Sequence, residues 1–295
     1  MRGLIIGPPP GPGSSQAPGA LFFRGDHQGG KAVIQWFRAR RRRRILESPF
    51  PDAWEAILSR NIPHAAQLDE AEAARLKDFI QVFVAEKTWE GCGGLEMNDE
   101  IRVTISAQAG LLVLGRPHQY FRNVQSILVY PTTIVTPERP LGHFTIPGVT
   151  PAAGTPILGE AHMGGPVLLV WDRVKQNARH PEQGHDVVYH EFAHKLDMLD
   201  GAADGTPPLG TRAETDRWIE VCGAAFEALR QRVQRGQASF LDAYGATNEA
   251  EFFAVATEFF FDQARQMKKQ EPDLYAVLQD FYGQDPAART ARRPS

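Results

Sequence analysis

"VVYHEFAHKLDMLDG", residues 187–201, bears on the fold and the chemistry together. On a helix turning about 100° per residue, His190 and His194 lie about 40° apart and one turn apart in height, so both imidazoles reach one ion. Glu191 stands to one side of that pair, able to touch a water held there without being a ligand. Val188, Phe192, Leu196 and Leu199 recur at helical spacing and form an apolar stripe opposite the histidines. Asp186 suits an N-cap and Gly201 a C-terminal stop. A bare HExxH arises by chance in about one chain in a hundred of this size. The helix context and the apolar run Val167 to Val170 just upstream therefore carry more weight than the motif letters.

A catalytic metal site normally has three protein ligands and one open position. The third is not supplied by an HExxHxxGxxH pattern, because Asp197 and Asp200 stand where its glycine and last histidine would fall. "TNEAEFFAVATEFFF" (247–261) offers a second helix instead, with Glu251, Ala254, Val255 and Glu258 on one face. Ala254 is small enough to allow close approach of another helix. Glu251 and Glu258 both qualify as ligands on geometry alone, and Glu251 reads equally as the partner of Asn248 in a capping box. Asp197, on the metal-facing side, reads either as an acceptor fixing a ligand imidazole or as a carboxylate bonding the following turn.

At 295 residues with 42% hydrophobic content, the chain is long enough for a sizeable core. Cys92 and Cys222 lack CxxC spacing, which argues against a disulfide framework and favours a reducing compartment, so a cytoplasmic protein is expected. The net charge of -3 gives no overall attraction to nucleic acid, and no apolar run is long enough to span a bilayer. Residues 1–45 read as a disordered extension: Gly, Pro and Ser dominate the first 30 positions, and no signal-peptide core follows Leu4 to Ile6. Its end, "WFRARRRRRIL", carries Arg38 and Arg40 to Arg44 and reads as a solvated basic leader rather than an anionic-surface contact. Residues 46–284 read as one folded domain and 285–295 as a polar tail.

Within that domain, "DAWEAILSR" and "DEAEAARLKDFIQVFVAEK" have helical periodicity. "EIRVTIS" alternates as a strand, "AQAGLLVLG" as a buried helix, and "VQSILVYP" and "GPVLLVWDRV" as strands, with loops or a hairpin over 136–166. Helices follow to about Tyr282. Strands first and helices afterwards give an α+β class with a helical C-terminal half.

"HEFAHKLD" (190–197) and "DAYGATNEAEFFAVATEFFF" (242–261), with weaker likeness in "WEGCGGLE" (89–96), "ILVYP" (127–131) and "GPVLLVWDRV" (165–174), resemble the Mlc titration factor A family of bacterial zinc peptidases. The resemblance covers most of residues 46–286. It implies a zincin-like, gluzincin-type domain in which a mixed β-sheet packs beside the HExxH helix, with one zinc ion held by His190, His194 and Glu251. It further implies Glu191 as the base that takes a proton from the attacking water, Tyr244 as stabiliser of the oxyanion, and aminopeptidase-like hydrolysis of short peptides. Leu168 to Val170 would be an edge strand for substrate backbone or a buried core strand. As an alternative, the resemblance implies a regulatory protein that sequesters an Mlc-type transcriptional repressor controlling sugar uptake. Residues 1–32 exceed the usual family start and read as an extension.

Overall fold

The computed structural model describes residues 27–132, 134–135, 156–157, 159–161 and 165–289, with side chains described over 36–132 and 165–289. Residues 1–26, most of 136–166 and 290–295, on which some of the expectations above fall, lie outside this set. Two compact units are present, Met1–Arg43 and Arg44–Ser295. Helix α1 (His27–Leu46) contains the arginine run, and Trp36 and Phe37 on it are exposed, with the Arg40 guanidinium over the Trp36 ring.

In the larger unit, α2 (Asp52–Asn61) and α3 (Glu70–Glu86) form where the periodicity predicts helices. Asp69 and Glu72 close a reciprocal capping box at the start of α3. β1 (Thr88–Gly91) comes next, and after it the structure departs from the sequence reading. The alternation in "EIRVTIS" predicts a strand, yet α4 (Asp99–Val113) is one helix through both that segment and "AQAGLLVLG". Asn98 caps it by accepting from the Ile101 N–H at 3.0 Å, and Asp99 and Glu100 sit in its first turn. Because α4 is buried nearly all round, apolar residues occupy every face and the helical period is hidden. Helices thus precede the sheet as well as follow it.

β2 (Ser126–Tyr130), β3 (Ile134–Val135), β4 (Pro156–Ile157), β5 (Gly159–Ala161) and β6 (Val167–Val170) complete the strands among the described residues. β3 pairs with β4 as a small antiparallel ladder. The main sheet runs β1-β2-β6-β5, with β1, β2 and β6 parallel and β5 antiparallel. β6 is therefore interior, with Val167 to Leu169 paired on both sides, so it is not the edge strand for substrate; among the described residues β5 is the edge on that side. β6 is also shorter than "GPVLLVWDRV", because α5 (Trp171–Arg179) begins straight after Val170.

α6 (Val187–Asp197) packs against β5 and β6 on one side and α4 and α8 on others. It ends earlier than predicted, in a 3-10 turn over Met198–Asp200 stopped by Gly201 at φ 99°. Leu199 in that turn is 44% exposed and leaves the apolar stripe to Val188, Phe192 and Leu196. α7 (Arg212–Gln234), α8 (Glu249–Asp262), α9 (Ala264–Gln270) and α10 (Pro272–Tyr282) form the helical C-terminal part. The predicted tail is pinned as far as Arg289, which bonds Glu72 at 2.6 Å, while Asp285 accepts from the Tyr275 hydroxyl. Phe192 packs on Phe121 and Phe83, joining the back of α6 to α3 through one aromatic cluster.

Candidate metal centre

The position of His190 follows from the cap of its helix. Asp186 Oδ1 accepts from the N–H groups of Val188 and Tyr189, its Oδ2 accepts from the Gln108 side chain of α4, and its own N–H donates to Glu258 Oε2 at 2.7 Å. The start of α6 is thereby tied to both α4 and α8. Asn248 accepts from the Glu251 N–H at 2.9 Å and caps α8, so the predicted role of Glu251 as an N3 residue holds for its backbone. Its carboxylate goes elsewhere.

His190 Nε2 lies 3.0 Å from Glu251 Oε2 and 3.3 Å from His194 Nε2, and His194 Nε2 lies 3.4 Å from the same Glu251 oxygen. Three lone-pair donors from two helices thus form a nearly equilateral triangle. The edge of a tetrahedron whose centre sits about 2.0–2.1 Å from nitrogen or oxygen ligands is about 3.3–3.4 Å. The donors fit a small divalent cation in size, and two imidazoles with one carboxylate fit it in chemistry.

His190 Nδ1 lies 2.8 Å from Glu258 Oε1. An ionised carboxylate only accepts, so Nδ1 is the donor, and the ring turns Nε2 toward the triangle. Burial alone would push the His190 imidazole down, but the hydrogen bonds to Glu251 and Glu258 hold it well above its ordinary value. In Glu251 burial is outweighed by the bonds from His190 and His194, which hold its carboxyl far below the carboxylate range. A cation at the centre of the triangle would compete with protons for these donors.

The other predicted residues fall around this triangle. Glu191 is 4% exposed, and its charge helps raise both His190 and Tyr244. Tyr244 stands on a 3-10 turn, Ala243–Ala246, held by Asp242, which accepts from the Tyr244 N–H at 2.7 Å. Its ring centroid is 5.9 Å from that of His190, and the residue is 54% exposed. Burial of the phenol and the nearby Glu251 charge push it up to about 12. Of the two open alternatives, Glu258 backs His190 from behind, and Asp197 accepts from the Gly205 N–H at 2.9 Å, holding the following loop. Burial raises the Asp197 carboxyl to about 6.

Sequence reasoning missed what lies behind Glu258. One turn further along α8, Asp262 bonds His64 at 3.0 Å, across 198 positions of chain, and burial raises its carboxyl well above the usual range. Burial pushes the Asp186 carboxyl up to about 8, helped by the Asp262 charge. No sequence spacing could have joined His64 to this group, since the contact spans 198 positions.

The profile of the glucose-regulated metallo-peptidase M90 family matches residues 36–283. The chain belongs to that family. Among curated relatives of this M90 member, the uncharacterized protein slr2042 of Synechocystis sp. is 34% identical over 83% of this chain and 89% of its own length. Mlc titration factor A of Serratia proteamaculans is 31% identical over 81% of this chain and 89% of its own. Mlc titration factor A of Yersinia pestis is 27% identical, again over 81% of this chain. The resemblance to the Mlc titration factor A family drawn from the two metal segments is thereby borne out. No helix among the described residues is long and apolar enough to cross a membrane.

Proposed function

We propose that this M90 member is a zincin-like, zinc-dependent peptidase, with residues 46–284 as its metallopeptidase domain in the cytoplasm, hydrolysing short peptides in the manner of an aminopeptidase. The observation that carries the reading is the triangle of His190 Nε2, His194 Nε2 and Glu251 Oε2, whose edges match a tetrahedral face. Zinc, when bound there, supplies Lewis acidity toward a water and the scissile carbonyl. Glu258 orients His190 by accepting at Nδ1. Glu191, next to the first ligand and largely screened from solvent, takes the proton of the attacking water and delivers it to the leaving amine. Tyr244, its phenol kept protonated at neutral pH, donates a hydrogen bond to the developing oxyanion. The reading is tested with a panel of aminoacyl and short-peptide reporters before and after chelation. Cleavage that is lost on chelation and returns with zinc is expected; cleavage indifferent to chelation contradicts it.

The likeness to two proteins called Mlc titration factor A favours a second role, the binding of an Mlc-type transcriptional repressor. Addition of this protein would then release that repressor from its DNA site. Unchanged repressor–DNA affinity removes this reading and leaves the peptidase intact.

A further inference from the structure

A concave site is lined by none of the residues placed at the metal centre. It is a half-open cavity of about 330 Å³ between the C-terminal ends of α4 and α10, the first turns of α7 and the loop over Pro208 to Gly210. Its walls include Trp218, Val277, Phe281, Pro208 and Leu209. Gly115 and Gly283 meet so closely at its rim that a Cβ on Gly115 would lie 2.2 Å from the Gly283 carbonyl oxygen.

The charged side chains in this lining are not equivalent. Arg217 Nη1 is paired with Asp280 Oδ2 at 2.6 Å, and Glu214 accepts from the Thr211 N–H at 2.9 Å in the cap of α7. Those charges are committed. Arg116 is different: its guanidinium carbon lies 4.0 Å from the centroid of the Phe281 ring, and it makes no ion pair among the described residues. Its Nη1 is buried with no hydrogen-bond partner among them. Burial pushes this guanidinium down from its usual value. Half-buried against that ring, the guanidinium keeps only part of its water, and a counter-charge at the cavity wall would offset what it has lost.

We infer that this cavity binds a carboxylate with a short apolar body, its head group on Arg116 and its body against Pro208, Leu209 and the Trp218–Phe281 ring pair. A planar guanidinium in the wall of the cavity suits a carboxylate in two-point contact. The apolar walls disfavour a bare, fully hydrated anion. The carboxylate has two possible sources, a free small acid or the C-terminus of a peptide chain, and the half-open mouth admits either.

Calorimetric titration of the full chain with N-acetyl-leucine, N-acetyl-leucinamide and N-acetyl-Ala-Ala-Leu tests this. The acid is expected to bind with a Kd of about 1 mM or tighter. The amide should bind at least about tenfold more weakly, and Arg116→Gln should weaken the acid by a similar factor without changing metal content. Arg116→Lys keeps the charge and the packed stem but not the fork, so it should weaken binding several-fold, and it decides the matter if Arg116→Gln does not fold. Arg116-dependent binding of the tripeptide assigns the chain terminus, and its exclusion assigns a free acid. Equal binding of acid and amide, unchanged binding in the Arg116 variants, or no binding at about 10 mM overturns the inference.

Discussion

α4 and α6 are neighbours, similarly deep in the protein, and they use that depth in opposite ways. Along α4 every residue from Val103 to Val113 is buried, and the polar ones are uncharged: Thr104, Ser106 and Gln108. α6 is shorter and buries Glu191, His194, Lys195 and Asp197. Burying ionisable groups costs several kcal/mol each unless they are paired, so an eleven-residue helix that does it four times is not built for stability alone. Packing sets what α4 needs; the arrangement of polar groups sets what α6 needs. The same contrast divides α6 itself, with Phe192 in the aromatic cluster at its back and His190 facing Glu251 and Glu258 at its front.

The two helices should therefore fail differently. Truncating Leu112 to Ala on α4 is expected to cost about 2–5 kcal/mol in urea unfolding while zinc affinity of the folded protein is retained. A comparable loss of affinity would mean that α4 also sets the metal geometry. Glu258→Gln touches no ligand atom of the triangle, yet it removes the carboxylate that orients His190. Competition with a chromophoric chelator should show zinc binding weakened about 10- to 100-fold, with the unfolding midpoint shifted little. An unchanged affinity would reduce Glu258 to packing. Tyr244→Phe should keep the zinc and lower kcat by about 10²–10³-fold, as for loss of one oxyanion donor; an unchanged kcat would take the hydroxyl out of the chemistry.

The smallest effect is expected at Asp197, where burial raises the carboxyl to about 6. A raised folded value means that the folded state holds its proton longer than the unfolded one, so stability is lost as pH rises toward 6. Metal-free wild type should lose about 1 kcal/mol relative to Asp197→Asn between pH 5 and pH 7. A pH-independent difference would show that the Gly205 bond alone sets the state of this carboxyl.

How much could be read in advance follows the same division. The front of α6 was legible because two histidines four apart can share an ion only on a helix, and the structure brings them together with Glu251. The choice of Glu251 over Glu258 was not legible from spacing, since both share one helical face; the long-range packing of α8 on α6 decides which meets the triangle and which meets His190 from behind. α4 was misread because complete burial removes the polar face that reveals a helix. β6 was read as a possible edge because apolar sequence does not tell which strands flank it, and the pairing with β2 and β5 is long-range. His64 and Asp262 were invisible for the same reason.

The central claim is that the front of α6 holds a metal for catalysis and that Glu191 is its base. The most direct test measures zinc content by elemental analysis together with reporter cleavage for wild type, Glu191→Gln and Glu251→Ala. About one zinc per chain with cleavage in wild type, zinc without cleavage in Glu191→Gln, and loss of zinc in Glu251→Ala is the predicted pattern. Full turnover by a zinc-loaded Glu191→Gln, or a wild type that takes up no metal, would contradict it.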